Sequence, residues 1–169
     1  MAIDMFLKLD SVTGESTDSS HAGEIEVASF SHSVSNQSTV GSGTSGSGAG
    51  KASFGALKIV ARTNNSSATL FQVSASGDHF KTAKLTARKA GKSQQEYFTI
   101  ELTEVYVSEY TNGYQPLDAN NPGSEVAHVD SYSLSYKTIK ITYKPQKADG
   151  TLGAPAIGQY NLGTNAIKV

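Results

Sequence analysis

The chain has 169 residues, with Lys+Arg 14 against Asp+Glu 15 for a formal net charge of −1, no cysteine, and only 17% charged and 37% hydrophobic residues. That is one domain's length, 1–169, able to bury roughly 70% of its unfolded surface without staples; the missing thiols exclude a disulfide framework, a cysteine nucleophile and a Cys-based zinc site. Near-zero charge gives no basic field for nucleic acid or an anionic membrane, and a charged content below the ~25% usual in soluble domains leaves a chain rich in small polar residues.

Period-2 alternation dominates from the start and argues for strands with two different faces. Met5, Leu7 and Leu9 share one side, with Asp4, Lys8, Asp10 and Phe6 on the other. Acidic residues in this first stretch do not suit a secretory leader, which needs a basic start and an unbroken apolar run. The expectation is a protein made in the cytoplasm that leaves it, if at all, by a leaderless route. Apolar runs are too short throughout to span a bilayer as a helix.

Ile25 and Val27 follow, interleaved with Glu24 and Glu26. Residues 41–50 read GSGTSGSGAG, a low-complexity stretch expected to form a mobile loop, and a strand is expected over 51–62. Asn64 and the serines after it accept hydrogen bonds from free amides at a helix start, and Gly77 is a helix stop. This predicts one short helix over about 65–76, with Leu70, Val73 and Phe71 on its inner stripe. From Phe80 to Arg88, Ala83, Leu85 and Ala87 face one way, while Thr82, Lys84, Thr86 and Arg88 face the other.

Two phase slips come next. Phe98, Ile100 and Leu102 share a side that Val105 and Val107 abandon, and Tyr132, Leu134 and Tyr136 are out of phase with Ile139, Ile141 and Tyr143. One residue of slip moves every later side chain to the other face, so each slip marks a bulge or a corner of the kind that closes a barrel. Turns are expected at Thr111-Asn112-Gly113, Asn120-Asn121-Pro122-Gly123 and Ala148-Asp149-Gly150.

The candidate chemistry is thin. Gly41-Ser42-Gly43-Thr44-Ser45-Gly46 fits G-x-G-x-x-G, but that fingerprint needs a strand before it and a helix after it to present amides to a pyrophosphate. A strand follows instead, and a P-loop fails too, since Ser45 stands where the first glycine is needed before Gly50-Lys51 and Ala52 replaces the metal-binding hydroxyl. His21 has Ser16, Asp18 and Ser20 for neighbours, yet a catalytic triad is a geometry between separate elements, not local crowding. The simpler role is a loop whose carboxylate and hydroxyls cap turn amides. His32, His79 and His128 lack the paired spacing of a zinc site and read as loop or surface histidines. Glu24 and Glu26 read as the wet face of a strand rather than a catalytic pair. Tyr106, Tyr110, Tyr114, Tyr132 and Tyr136 could stack a sugar or base, but strand tyrosines more often sit at rims and contacts. No catalytic, cofactor or metal residue is assigned.

Taken together the motifs resemble one family. Phe6-Leu7-Lys8-Leu9-Asp10, the run Gly14-Glu15-Ser16, Asp18, His21 and Glu24-Ile25 (G-E-S-x-D-x-x-H-x-x-E-I), Lys51-Ala52-Ser53-Phe54, Ser76-Gly77-Asp78-His79, Glu96 to Leu102, and Tyr143 to Gly150 (Y-x-P-Q-K-A-D-G) are similar to Hcp, the haemolysin-coregulated tube subunit of bacterial type VI secretion. The resemblance covers essentially the whole chain. Departures are Ala68 where the family has a helix-start proline, Phe30 for a tryptophan, and Tyr160-Asn161 for a closing W-D pair.

The resemblance implies a mainly β fold: a closed β-barrel of two antiparallel sheets, one short flanking α-helix, and an extended loop over about 37–50. It implies a structural protein without catalysis, assembled as a hexameric ring that stacks into an exported tube. Its partners would be further copies of itself, a tip spike protein, a contractile sheath and small effectors in the lumen. Gly41, Gly43, Gly46, Gly48, Gly50 and Lys51 are the candidate ring-stacking loop, and Gly14, Glu15, Ser16, Asp18 and His21 the family-motif loop. The alternative is a soluble β-barrel module that binds carbohydrate or peptide.

Overall fold

The structure is a computed structural model that describes residues 3–36, 52–89, 94–118, 121 and 123–167. In chain order its elements are β1 (Ile3–Leu9), β2 (Ile25–Ser31), β3 (Val34–Ser35), β4 (Ser53–Phe54), β5 (Leu57–Arg62), α1 (Ser67–Ser76), β6 (His79–Lys89), β7 (Glu96–Pro116), β8 (Val126–Ser135), β9 (Thr138–Tyr143) and β10 (Ala156–Asn161). Hydrogen-bonded neighbours run β10-β9-β7-β6-β1-β2-β5-β8, and a further β8–β7 pairing closes the circuit. Six antiparallel strands thus form a closed barrel, with β9 and β10 as a flap on its wall and β3–β4 as a separate ribbon. The mainly β barrel expected from the alternation is the observed fold.

Both phase slips meet at one corner. Glu104 has φ 48 and lies where β7 exchanges one partner for another: Thr103 pairs with Thr138 of β9, and Tyr106 with Ser135 of β8. Lys137, in the gap between β8 and β9, donates its N–H to the Thr103 carbonyl at 3.0 Å and its ammonium to Glu104 at 2.7 Å. The change of phase keeps Leu102, Val105 and Val107 all buried, although they no longer alternate. A kink that redirects the strand is how a twisted sheet turns a corner without exposing its apolar face.

The core fills the barrel with Leu7, Ile25, Leu57, Ile59, Leu85, Ile100 and Leu134, each at most 1% exposed. Fully burying a Leu or Ile side chain contributes about 1.5–3 kcal/mol. Helix α1 covers one flank and inserts only Leu70, which is 0% exposed. Gly77 closes the helix in the left-handed region at φ 73, with its N–H on the Val73 carbonyl at 3.1 Å.

Several expectations are corrected. Phe71 is 62% exposed rather than on the inner stripe, because α1 reaches the barrel with a single residue per turn. The strand expected over 51–62 is split into β4 and β5 by Gly55-Ala56. Thr111-Asn112-Gly113 is not a turn; it lies within the 21-residue β7, which pairs past it with β8 as far as Pro116↔Val126. Turns do occur near Asn121, whose side chain accepts the Gly123 N–H, and at Gly150, whose N–H meets the Lys147 carbonyl.

Candidate functional site

The family-motif residues Gly14, Glu15, Ser16, Asp18 and His21 lie in one loop that folds back over the outside of the barrel. Gly14 starts it, and a Cβ there would lie 2.6 Å from the Glu24 carbonyl carbon and 2.8 Å from the Ile25 nitrogen. Only glycine lets the two arms of the loop approach as closely as their ladder requires: Gly14 N–H to Gly23 at 2.7 Å, Ser16 N–H to Glu24 at 3.1 Å, Gly23 N–H to Ser16 at 2.8 Å. Glu15 reaches away from the loop and accepts the Asn65 N–H at 3.0 Å, just before α1. Ser16 is buried and its hydroxyl accepts the Asp18 N–H at 3.3 Å.

Asp18 is the knot. Its carboxylate accepts the N–H groups of Ser20 at 2.9 Å and His21 at 3.2 Å, and it takes a two-pronged bond from the Arg88 guanidinium. The Arg88 bond, aided by those backbone amides, holds its carboxyl at about 2, well below the usual carboxylate range. Arg88 itself is 3% exposed, and its proton affinity is raised chiefly by the Asp18 bond; Asp4 lies 3.4 Å away on its other side. The guanidinium stands 4.8 Å over the Phe6 ring.

His21 covers Phe6 from the loop side. The rings stack at 4.3 Å and 7°, and Nδ1 donates to Glu24 at 2.9 Å while Nε2 lies 3.6 Å from Glu96. Phe6, on the outward phase of β1, is thereby only 4% exposed. The loop therefore roofs a second, smaller core outside the barrel, made of Phe6, His21 and Arg88. Alternation alone assigned Arg88 and Phe6 to the wet face, and the roof is what makes them interior. Glu24, expected on the strand, precedes β2 and orients His21 instead; Glu26 is exposed.

A second knot was not foreseen. Asp130 is fully buried and accepts from Tyr110 at 2.9 Å, Asn112 at 2.7 Å, Thr63 at 3.4 Å and the Ser67 hydroxyl. It ties the first turn of α1 to β5, β7 and β8. Burial, and then the Asp130 bond, push the Tyr110 phenol up to about 12. A lone acid among hydroxyl and amide donors was the available sequence signal, but those donors come from three separate places: Thr63 after β5, Ser67 at the start of α1, and Tyr110 with Asn112 on β7.

The remaining histidines and tyrosines disperse. His32 is half-buried, its proton affinity lowered by burial, and its Nε2 donates at 2.6 Å to Tyr136, whose hydroxyl donates on to the Gly55 carbonyl at 3.2 Å. That chain clamps the foot of the β3–β4 ribbon. Burial raises Tyr136 to about 12 and pushes Tyr132 higher still, and both belong to the core rather than to a rim. Tyr106 stacks on His79, and Tyr114 on His128, at the surface. A groove of about 480 Å³ is lined by Glu15, Ser16, Glu26, Arg62 and Asn64, but Glu15 is engaged by Asn65 and Arg62 by Glu125 at 2.9 Å. Among the described residues no group of three His, Cys, Asp or Glu is placed to hold a metal ion, and no helix is long and apolar enough to cross a membrane. Gly41, Gly43, Gly46, Gly48, Gly50 and Lys51 lie outside the described residues.

Comparison with known proteins meets this geometry. Residues 6–143 match the family model described as type VI secretion system effector, Hcp. Over 167 residues the chain is 37% identical to protein hcp1 of Pseudomonas aeruginosa, covering 98% of each. Its fold superposes on a solved type six secretion system protein with a TM-score of 0.86 at 30% identity, covering 98% of this chain and 99% of that one. It also superposes on Hcp1 from Salmonella typhimurium with a TM-score of 0.75 at 29% identity, again covering 98% and 99%. With the motif loop, the closed barrel and the flanking helix all accounted for along nearly the full length, the chain belongs to the Hcp family of type VI secretion proteins.

Proposed function

We propose that this chain is the structural subunit of a type VI secretion inner tube. Six copies close a ring, rings stack, and the tube is expelled, carrying small effectors in its lumen. The observation that carries the reading is how the motif loop is used: Asp18, His21 and Ser16 are all engaged in roofing Phe6 and Arg88, as suits a part whose surface must keep one shape. A subunit packed against identical copies also benefits from a net charge of −1, because like-charge repulsion between copies is then small.

The further copies, the spike at the tip, the surrounding sheath and the carried effectors are its partners in this reading; catalysis and cofactors have no part in it. Synthesis is cytoplasmic and export proceeds through the type VI machine. The stretch 37–50 lies in sequence between the two strands of the β3–β4 ribbon, whose foot the His32–Tyr136–Gly55 clamp holds. In the assembled tube we assign it to contact with the next ring.

Native mass spectrometry and negative-stain microscopy test the reading together. A six-subunit species with annular particles is expected, and a monomer that binds carbohydrate or peptide would replace the reading with the binding module. Deleting 43–48 should leave rings intact and impair stacking. Unchanged stacking would remove the assigned role of that segment.

A further inference from the structure

One stretch of the sheet carries its charges in single file. Across β1, β6, β7 and β9 the register sets Lys8 opposite Lys84, Lys84 opposite Glu101, and Glu101 opposite Lys140. All four alternate with buried neighbours such as Leu7, Leu85, Leu102 and Ile139, so the row faces outward. On β6, β7 and β9 the rows to either side are uncharged: Thr82, Thr103 and Thr138 on one, Thr86, Thr99 and Thr142 on the other. A groove of about 470 Å³ is lined by the charged row and the first of these threonine rows, with Asp10 at its β1 end.

Like charges placed directly opposite one another on neighbouring strands repel. Glu101 does not relieve the Lys8 and Lys84 pair, because it turns to the other side and accepts from the Lys140 ammonium at 3.1 Å. Among the described residues Lys8 and Lys84 have no carboxylate partner, and Asp10 pairs with neither. Both lysines are exposed. Lysine commonly guards an open sheet edge, but β1 and β6 each have a strand on both sides, so edge protection does not account for the pair.

We propose that this row is a docking face for an acidic helix of a partner protein, laid across the strands. Three strand spacings of about 4.8 Å set the end charges of the row about 14 Å apart. Helix positions i, i+3, i+7 and i+10 share one face and span about 15 Å. Alternate residues of an extended segment reach about 20 Å over the same four groups, so a helix fits the row and a strand overshoots it. The row reads plus, plus, minus, plus from Lys8 to Lys140, and the matching helix carries acids at i, i+3 and i+10 with a base at i+7. Its first two acids supply the counter-charge that Lys8 and Lys84 lack. The helix of this chain, Ser67–Ser76, has no acidic residue, which favours a different protein over a second copy as the partner. The face belongs to a single subunit and does not rest on the tube reading.

The test uses labelled alanine-based helical peptides, read by fluorescence anisotropy against the full chain at low salt. One carries glutamate at i, i+3 and i+10 and lysine at i+7; a second exchanges every charge; a third holds the residues of the first spread around the helix. The first should bind about tenfold more tightly than the other two, and salt should weaken it. Lys84→Glu should cost about tenfold with the first peptide, and a peptide with lysine at i+3 should recover that loss, a rescue that a merely structural role for Lys84 does not give. Circular dichroism checks that the variant is folded, and native mass spectrometry follows the ring separately. Equal binding of the three peptides, or no rescue of Lys84→Glu, would overturn the proposal. Displacement of the peptide by inorganic pyrophosphate at matched ionic strength would also overturn it, since the face is then a simple anion site. So would loss of the ring in folded Lys84→Glu, which places a second copy of this chain on the row.

Discussion

Replacing Gly14 by alanine tests whether the motif loop is held by close backbone approach. The added methyl would meet the carbonyl of Glu24 and the nitrogen of Ile25, which are backbone and cannot swing aside. Relief requires the arms to separate, which forfeits the three ladder bonds between 14–16 and 23–24. At about 1 kcal/mol net per bond the loss is about 3 kcal/mol. A domain of this size then melts about 6–12 °C lower, at 2–4 °C per kcal/mol. Urea unfolding followed by circular dichroism measures it, with the m-value unchanged if the unfolded state is untouched. Gly158→Ala is the matched control: the same methyl enters open space on a strand, and stability should hold or rise by about 0.5–1 kcal/mol. If Gly14→Ala costs less than about 1 kcal/mol, the steric account of the loop is wrong.

Leu70→Ala removes the single buried side chain of α1 and should cost about 3 kcal/mol, towards the low end for such changes because an exposed helix can settle inward; Phe71→Ala, at an exposed site, should cost under about 0.5 kcal/mol by the same unfolding assay. The Asp18 carboxyl, lowered from 3.8 to about 2, stabilises the fold in full above pH 3.8, and that contribution is lost as pH falls towards 2. Acid titration of stability should therefore slope downward over that window and flatten in Asp18→Asn, and identical slopes for the two proteins would contradict the Arg88 bond. The Tyr132 hydroxyl is buried with no hydrogen-bond partner among the described residues, so Tyr132→Phe should leave stability unchanged or raise it by about 1 kcal/mol; a loss of that size would reveal a partner for the hydroxyl.

Much of the wall was legible because strand periodicity is local. The out-of-phase pairs Leu102/Val105 and Tyr136/Ile139 located the corner at Glu104 and Lys137 before any contact was known. Gly77 stopped the helix where its left-handed φ requires. What failed was everything that depends on a second layer. Arg88 alternates outward and is buried only because residues 14–24 return over it. Asn112-Gly113 has the chemistry of a tight turn, yet Asn112 is held extended by Asp130 and by its own bond from His128 at 2.9 Å. Tyr132 and Tyr136 resemble rim residues in sequence, but their strand phase points into the barrel, and that phase was the better guide.

The 21 residues of β7 have a consequence for how the molecule comes apart. Phe98 to Thr103 is bonded to β6 on one side and β9 on the other, so the flap and the barrel share a strand that neither can release alone. Amide hydrogens of β9 and of the adjoining stretch of β6 should exchange with solvent together, in one cooperative opening near the global limit. The flap is in this sense no appendage: an outward pull on it is resisted by the barrel's own seam, and the subunit yields as a whole or not at all.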